Sequence, residues 1–351
     1  MKAVRLYGTK DLRVEEVKKP RISENEILMR VRAATICASD IRSYNYGDGR
    51  MRPPRILGHE IAGDIQEIGP NVKGYDPGMR ITLNPNIFCG RCAFCVTGRH
   101  QLCDERRALG FDVDGGFAEY VVIPSESVRT GVICEIPDNI SYEEAALIEP
   151  ISCCLHAQTL VKVGAGDTVT VIGAGPMGIM HTVMAKALGA SRLIVSEISE
   201  QRLQKAVDFG ADVTVNPAKE DLASRVFEAT ERHGSDVIIV AVGSRSAMEQ
   251  ALTLLSKGGR ICFFAGLQKG KESVRINANI IHYRETIVTG AFASTPHEFH
   301  QTARLAASGK LLNMKPIVTH RFSLEDASEA FEAALSGRAL KICLNPEAPS
   351  V

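Results

Sequence analysis

The second half of the chain, from about residue 165, alternates short apolar runs with helix-length segments, and this pattern restricts the fold more than any other feature. Buried strands are predicted at Val169–Ile172, Leu193–Val195, Val213–Val215, Val237–Val242 and Ile261–Ala265, with Thr286–Thr289 as a further strand. Helical apolar spacing predicts helices at Met177–Leu188, Glu200–Phe209, Leu222–Arg232 and Ala247–Leu255. Such repeated strand–helix units predict a parallel, doubly wound sheet that helices cover on both faces.

The residues before about 150 follow a different pattern. Alternating runs such as Ile27–Ala33, Asp64–Ile68 and Phe117–Ile123 are separated by Gly, Pro and Asn, so they predict a β-rich unit with many turns. The tail is predicted to contain helices near Glu298–Ala307 and Leu324–Leu335 and a strand at Lys341–Leu344. We expect this tail to pack on the first unit. A chain of 351 residues is long enough for about two domains.

The first strand–helix turn of the second half is rich in glycine. Its sequence is Gly173-Ala-Gly175-Pro176-Met177-Gly178, directly after the strand that ends at Ile172. The first two glycines allow a tight turn and a close approach to a pyrophosphate, and the third allows helix and strand to pack closely. The helix N-terminus faces the anion. The turn therefore predicts a dinucleotide site, to which we add Val242 and Ala265 at two strand ends.

An acidic residue indicates which dinucleotide is bound. Glu197 ends the next strand, 19 residues after Gly178. A carboxylate at this point accepts hydrogen bonds from the ribose hydroxyls and repels a 2′-phosphate, so NAD is favoured over NADP. Arg202 on the following helix is the counter-argument, because a nearby cation tolerates a 2′-phosphate. The alternative interpretation of Arg202 is a solvated surface residue.

Four cysteines, Cys89, Cys92, Cys95 and Cys103, have the spacing C-x2-C-x2-C-x7-C. In a reduced protein this is a closed, tetrahedral set of thiolate ligands, which predicts one structural zinc ion with no position left for a substrate. An iron–sulfur cluster is the alternative. Bacterial ferredoxin sequences shorten the last gap and end in Cys-Pro, whereas Cys103 precedes Asp104. The spacing therefore favours zinc.

A second set of metal-binding residue types lies in the first 150 residues. Cys37, His59 and Glu149 or Glu60 supply one thiolate, one imidazole and one carboxylate, the set of a catalytic zinc ion with an open fourth position. Such a zinc acidifies a bound alcohol near neutral pH. Ser39 is placed in sequence to accept the alcohol proton, and Asp40 or Glu60 to orient the imidazole. Because His59 and Glu60 are adjacent, a regular backbone would point them apart, so we expect Glu149 as third ligand and Glu60 as an exchangeable one.

Composition restricts the partners. Lys plus Arg and Asp plus Glu both total 41, so the zero net charge gives no support to a nucleic-acid partner. No apolar run is long enough to span a membrane, and the N-terminus lacks the apolar core of a signal peptide. Ten cysteines without such a signal predict a reducing, cytoplasmic location. The expected partners are a small-molecule alcohol and further copies of the chain.

The motifs, in their order, resemble those of the zinc-containing medium-chain dehydrogenases and reductases over essentially the whole chain. They are Gly58-His59-Glu60, the four-cysteine lobe, Gly115-Gly-Phe-Ala-Glu-Tyr120 and the Gly173–Gly178 turn. Within this family, Ile148-Glu149-Pro150 with Leu155-His-Ala157 resembles the sorbitol (polyol) and threonine dehydrogenase branch.

The resemblance implies a β-rich, GroES-like catalytic domain of residues 1–150, to which residues 291–351 return. It is interrupted by a Rossmann NAD-binding domain of residues 151–290. It also implies an active site in the cleft between the domains, two zinc ions per chain, and a homodimer or homotetramer. By motif position Cys37 and His59 are zinc ligands, and members of the branch differ in whether the residue at Glu149 or at Glu60 is the third.

Two departures from the family pattern concern the pocket. Ala38 replaces the usual glycine after Cys37, and Arg42 occupies a position where the branch commonly has histidine. The absence of that histidine weakens the hypothesis that the chain is a threonine dehydrogenase, and it leaves Ser39 as the acceptor of the alcohol proton. Arg42 is either a surface residue or a ligand for a substrate phosphate or carboxylate. Three further arginines, in the segment 47–57, raise the prospect of an anionic or polyhydroxylated substrate: Arg50, Arg52 and Arg55.

The sequence therefore predicts a zinc-dependent enzyme that transfers hydride from the CH–OH group of a polyol or sugar-derived secondary alcohol to NAD. Threonine 3-dehydrogenase and a phosphorylated-polyol dehydrogenase are the alternatives within the family. The alternative from another class of protein is a non-catalytic dinucleotide-binding protein. The loss of a ligand for the catalytic zinc would indicate such a protein. All the candidate ligands are present, which favours an active enzyme: Cys37, His59, Glu60 and Glu149.

Overall fold

The computed structural model describes residues 1–311 and 314–348, which divide into two units. The first contains Met1–Glu149, Ser294–Gly309 and residues 314–348, and the second contains Pro150–Ala293 and residues 310–311. No helix in these described ranges is long and apolar enough to cross a membrane.

The elements follow one another in chain order. Residues before 148 form β1 (Lys2–Gly8), β2 (Asp11–Glu16), β3 (Ile27–Thr35), α1 (Ala38–Tyr46), β4 (Arg55–Ile56), β5 (Glu60–Ile68), β6 (Arg80–Leu83), β7 (Asn86–Ile87), α2 (Ala93–Val96), β8 (Arg107–Ala108), β9 (Tyr120–Ile123), α3 (Ser125–Arg129), β10 (Ile133–Glu135) and α4 (Tyr142–Ala146). The next segment forms α5 (Ile148–Leu160), β11 (Thr168–Ile172), α6 (Pro176–Ala187), β12 (Arg192–Ser196), α7 (Glu200–Asp208), β13 (Val213–Val215), α8 (Leu222–Ala229), β14 (Ser235–Val240), α9 (Arg245–Ala251), β15 (Leu255–Phe263), α10 (Ala278–Arg284) and β16 (Ile287–Gly290). The tail forms α11 (Pro296–Ala307), β17 (Val318–Phe322), α12 (Ala327–Leu335) and β18 (Lys341–Leu344).

The first unit is built around a sheet in the order β10-β6-β5-β3-β18-β17, with β9 also paired to β3. Strand β3 pairs antiparallel with β5, which places Thr35 opposite Glu60. On its other side β18, from the tail, places Cys343 opposite Thr35. The core beneath includes the fully buried rings of Phe117 and Phe331. The ends of β3, β5 and β18 therefore meet in one place, which becomes the candidate active site.

The second unit contains one six-stranded sheet in the order β13-β12-β11-β14-β15-β16. Every strand pair in it is parallel. The inner strands are buried along their length, because helices cover both faces. This strand order is that of a doubly wound dinucleotide-binding sheet, in which ligands bind at the carboxyl ends of the strands where the order reverses, beside β11. The predicted fold class is confirmed.

The predicted bounds of β15 and α9 are wrong in one respect. The prediction begins the strand at Ile261, whereas β15 already begins at Leu255. The predicted helix end at Leu255 is one residue late, because α9 is continued beyond Ala251 by a 3₁₀ helix at Leu252–Leu254. Gly258 and Gly259 do not end the strand. They lie within β15, where its register against β14 shifts as in a bulge. A glycine pair is therefore compatible with a strand that continues through an irregularity.

Candidate active site and metal sites

Cys37, His59 and Glu60 come together at the ends of β3 and β5. Cys37 caps the N-terminus of α1, and Glu60 is the first residue of β5. Each side chain offers a ligand atom, and these three atoms all lie within 4.8 Å of one another. One thiol, one imidazole and one carboxylate in this arrangement are a donor set that fits Zn²⁺. Glu60 is fully buried and His59 is 6% exposed, so these two donors are held inside the protein.

The positions of the side chains favour a different order of the two candidate carboxylates from the one that the sequence suggests. Glu149 is buried in the first turn of α5, but it is not a member of the group of ligand atoms around Cys37. Strand alternation points adjacent side chains apart only where both residues lie in one regular strand. Strand β5 begins only at Glu60, and Gly58 has φ +90°, so His59 lies in irregular backbone. Adjacent side chains can therefore converge, and the grouping favours Glu60.

Residues of α1 orient His59. The Asp40 carboxylate is fully buried, and its Oδ1 lies 3.4 Å from Nδ1 of His59. Its Oδ2 accepts a hydrogen bond of 2.9 Å from the backbone N–H of Cys37. Burial lowers the pKa of His59, but the negative charges of Asp40 and Cys37 outweigh it and raise the pKa well above its usual range. Asp40 thus fixes the ring from one side, and Ser39 Oγ lies 3.5 Å from Nε2 on the other.

A buried lysine, which sequence analysis missed, contacts Glu60. Lys341 begins β18 and is 3% exposed, and its Nζ donates to both Glu60 oxygens at 2.5 Å and to the Ile36 carbonyl at 3.2 Å. Thr35 Oγ1 donates to the same carboxylate. Burial lowers the pKa of Lys341, but the charge of Glu60 and then that of Cys37 raise it above its ordinary value. The signal was present in the sequence, since Lys341 is a lone cation beside the apolar run of β18.

The four-cysteine lobe forms a second cluster. The sulfur atoms of Cys89, Cys92, Cys95 and Cys103 lie within 4.8 Å of one another, and all ten cysteines of the chain are free thiols. Backbone N–H groups point at the sulfurs: those of Arg91 and Cys92 approach Cys89 Sγ at 3.5 and 3.4 Å. Four converging thiols fit a structural zinc ion.

The N–H groups also change the acidity of this cluster. Hydrogen bonds from the backbone of Asp104 and Cys95 lower the pKa of Cys92 to about 6. Burial instead raises the pKa of Cys95 to about 12. The lobe therefore holds one thiol that ionises readily and another that needs a cation to do so, as expected for a site that closes around a metal ion.

The glycine turn connects β11 to α6. Gly173 has φ +101°, and its N–H donates to the Ser196 carbonyl at 2.7 Å. A Cβ on Gly178 would lie 1.8 Å from the Gly173 carbonyl oxygen, so only glycine allows the helix this close to the strand. Gly175 caps α6 and Pro176 is its first residue, followed by Met177. The first turn of α6 thus leaves N–H groups available to an anion.

Glu197 and Arg202 lie beside this turn in a cavity of about 340 Å³. Glu197 Oε2 accepts from the Ala174 N–H at 2.9 Å, and Oε1 from the N–H groups of Ile198 and Ser199 at 2.8 and 3.1 Å. Arg202 Nη1 lies 3.8 Å from Glu197. Gly173 and Val242 also line the cavity. Ala265 follows β15 and is not among its lining residues. Four polar residues that also line this cavity were not predicted from the sequence: Ser196, Ser244, Ser246 and Gln250.

The arginines of the 42–55 segment have different surroundings. Arg42 is exposed on α1, and Arg52 is exposed in the loop. Arg55 Nη1 donates to Asp114 at 2.8 Å. Arg50 is paired with Asp48, and its guanidinium carbon lies 4.3 Å from the ring centroid of Phe111. Only Arg50 is linked through an aromatic ring to the His59 region.

Comparisons with known proteins agree over both units. The sequence model of the "Alcohol dehydrogenase GroES-like domain" matches residues 23–137, and that of "Zinc-binding dehydrogenase" matches residues 176–308. The L-threonine 3-dehydrogenase of Pyrococcus furiosus is 36% identical over 97% of this chain and 96% of its own length. The sorbitol dehydrogenase of Bacillus subtilis is 34% identical over 99% and 97%. A zinc-binding dehydrogenase of Sinorhizobium meliloti, solved bound to NADP, superposes with a TM-score of 0.91 at 33% identity, over 98% of this chain and 99% of that one.

Proposed function

Since the chain belongs to the zinc-dependent medium-chain dehydrogenase family, and so is an NAD(P)-linked alcohol oxidoreductase, we propose that it oxidises the CH–OH group of a polyol or sugar-derived secondary alcohol with NAD. The observation that supports this most is the convergence of Cys37, His59 and Glu60 on one point. We assign the catalytic domain to the first unit and the cofactor domain to the second, with boundaries near 149/150 and 293/294.

In this proposal Cys37, His59 and Glu60 hold the catalytic zinc, with Glu149 as the neighbouring carboxylate that can exchange with Glu60. The zinc supplies Lewis-acid polarisation of the substrate hydroxyl, which lowers its pKa toward neutrality. Ser39, beside His59, accepts the hydroxyl proton and passes it outward. Asp40 keeps the imidazole in its binding orientation, since it faces Nδ1 and leaves Nε2 for the ligand position.

The Gly173–Gly178 turn and the first turn of α6 bind the pyrophosphate of the cofactor in this proposal. Glu197 accepts hydrogen bonds from the ribose hydroxyls. Its carboxylate is only 9% exposed, and its negative charge repels a 2′-phosphate. Arg202 is paired with Glu197, so its charge is partly neutralised. These contacts support NAD as the preferred cofactor.

A second candidate substrate class has one specific observation in its favour. Phe111 lies beside His59, and the guanidinium of Arg50 lies on the ring of Phe111, which supports an alcohol that also carries an anionic group. Among the alternatives this favours a phosphorylated polyol over threonine, because the phosphate ester brings only negative charge to the guanidinium, whereas threonine also brings an ammonium.

We also propose that the protein is a homodimer or homotetramer in the cytoplasm. Strand β16 is an edge of the second unit's sheet, and among the described strands it pairs with β15 alone. Ile287 on this strand is 50% exposed, and Phe292 and Tyr283 nearby are 54% and 76% exposed. An apolar edge strand pairs readily with an identical strand from a second copy. The ten free thiols support a reducing compartment.

The test is NADH formation by the zinc-loaded protein on a panel of sugar alcohols, inositols, simple secondary alcohols, threonine and phosphorylated polyols. We expect turnover on a polyol, with NAD preferred to NADP. Turnover on threonine but on no polyol would contradict the proposed substrate class. Light scattering of the same sample reports the mass of the oligomer.

A further inference from the structure

We propose that Arg50, which lies on the ring of Phe111, forms with Arg106 a subsite for an oxyanion carried by the substrate, so that the substrate is a polyol with a phosphate or carboxylate group remote from the oxidised carbon. This inference deepens the proposed function and rests on it.

Phe111 contacts both a candidate zinc ligand, His59, and the guanidinium of Arg50. Its ring centroid lies 5.2 Å from that of His59, at a tilt of 44°. On the ring of Phe111 lies the guanidinium of Arg50, 4.3 Å from the centroid. The two distances together place the guanidinium carbon no more than about 9.5 Å from the His59 ring centre. An extended sugar-alcohol chain with a terminal phosphate spans a gap of this size.

Arg50 is held in one orientation. Its Nε and Nη2 donate to Asp48 at 3.0 and 2.7 Å, and the face of the guanidinium packs on Phe111. This fork uses one edge of the guanidinium, and within the described chain no hydrogen bond from Nη1 is present. The side chain is 36% exposed, so the second edge remains accessible to an incoming ligand. A guanidinium fixed in this way binds oxyanions with little loss of side-chain entropy.

The positive charge of Arg50 also acts on a second guanidinium, that of Arg106. Arg106 Nη1 donates to Asn86 Oδ1 at 2.8 Å, and Asn86 is itself held by Asn84. Burial and then the positive charge of Arg50 lower the pKa of Arg106. The two like charges therefore oppose one another, and an anion bound at Arg50 would reduce this repulsion.

The two carboxylates nearest to these guanidiniums are already engaged in other bonds. They are Asp48, which is paired with Arg50, and Asp112. Arg42 adds a third cation that acts on Asp48, and the Cys103 thiol is a third acidic group, which acts on Arg106. Asp112 also accepts a hydrogen bond from the Ala108 N–H at 2.8 Å, so one of its carboxylate oxygens already has a backbone donor.

Kinetics on three matched substrates test the subsite. Sorbitol, sorbitol 6-phosphate and gluconate are compared with the wild type, Arg50→Gln and Arg52→Gln. The last variant is the control, because Arg52 is an exposed arginine of the same loop. We expect at least one anionic substrate to exceed sorbitol tenfold in kcat/KM, and Arg50→Gln to reduce that ratio at least tenfold through KM while Arg52→Gln does not. The two anionic substrates show whether phosphate or carboxylate is bound.

A binding measurement separates this inference from the proposed function. Inorganic phosphate is titrated calorimetrically into zinc-loaded, NAD-saturated protein, in which the cofactor occupies the pyrophosphate site. We expect competition with the anionic substrate and an affinity at least fivefold weaker in Arg50→Gln than in Arg52→Gln. Sorbitol oxidation without preference for the anionic substrates, together with equal phosphate affinities, would overturn the subsite and leave the proposed function intact. Loss of phosphate binding in Arg50→Gln without oxidation of any polyol would support the subsite and contradict the proposed polyol activity.

Discussion

The buried ion pair between Lys341 and Glu60 allows a quantitative prediction. Replacement of Lys341 by Met removes the ammonium but leaves the Glu60 carboxylate in a fully buried position, with Thr35 as its remaining side-chain donor. Breaking a buried pair in this way costs about 3–5 kcal/mol of unfolding free energy, because an uncompensated charge stays in the interior. The double variant Lys341→Met, Glu60→Gln lacks that charge, so we expect it to recover most of the loss.

An exposed pair of the same residue types is the matched control. Lys19 and Glu67 are 3.0 Å apart with side chains 39% and 53% exposed. Such surface pairs contribute about 0–1 kcal/mol, so Lys19→Met is expected to be nearly neutral. Urea denaturation followed by far-UV circular dichroism is the assay, since the chain contains no tryptophan for fluorescence.

Zinc gives this experiment a second readout. In the wild type a zinc ion that binds Glu60 competes with Lys341 for the carboxylate. In Lys341→Met the carboxylate has lost that competitor, so added zinc should raise the stability of this variant more than that of the wild type. The reasoning fails if Lys341→Met costs no more than Lys19→Met in zinc-free protein, or if zinc stabilises the two proteins equally.

Three further predictions concern the other sites. Cys95→Ser should remove one zinc per chain and lower the unfolding midpoint, whereas Cys134→Ser, a cysteine outside the four-thiol cluster, should do neither; elemental analysis and thermal denaturation check this. Glu197→Ala should raise the KM for NAD about tenfold or more and reduce the preference for NAD over NADP, because it removes the carboxylate that we propose as acceptor for the ribose hydroxyls; unchanged cofactor kinetics would contradict its assignment. The hydrogen bond from Arg50 holds the pKa of Asp48 below its usual 3.8. The pair therefore stabilises the fold above about pH 4, and this contribution disappears as the pH falls through the lowered pKa, so Asp48→Asn should flatten the pH dependence of stability in that acid range.

The sequence predicted the second unit well because its signals are local. Buried β strands alternate with amphipathic helices, and the glycine turn lies between a strand and a helix, so the strands β11 to β14 are found where the apolar runs are. The exception is the start of β15. Its two adjacent glycines lie inside a bulged strand, but in the sequence such a pair is typical of a turn. Local pattern alone does not show whether a neighbouring strand continues the pairing through such a point.

The first unit's site depends on contacts between residues distant in sequence. Cys37, His59 and Glu60 were singled out because their residue types are metal ligands, and their side chains are grouped in the structure. The preference for Glu149 over Glu60 relied on strand alternation at a point where the backbone is irregular. Lys341 was missed because it reaches Glu60 across 281 residues of sequence, through the pairing of β18 with β3. A charge that is paired only in the folded chain has no partner visible in the sequence around it.

The ratio of zinc to protein chain in the wild type and in Cys37→Ser, measured on the same samples as NADH formation from a polyol, tests the central claim most directly. Two donor clusters are present, so we predict close to two zinc ions per chain in the wild type. In Cys37→Ser we predict one zinc per chain, no NADH formation and an intact fold, because the four-thiol cluster is untouched. Equal zinc content in the two proteins, or NADH formation by Cys37→Ser at the wild-type rate, would contradict a catalytic zinc site at Cys37, His59 and Glu60.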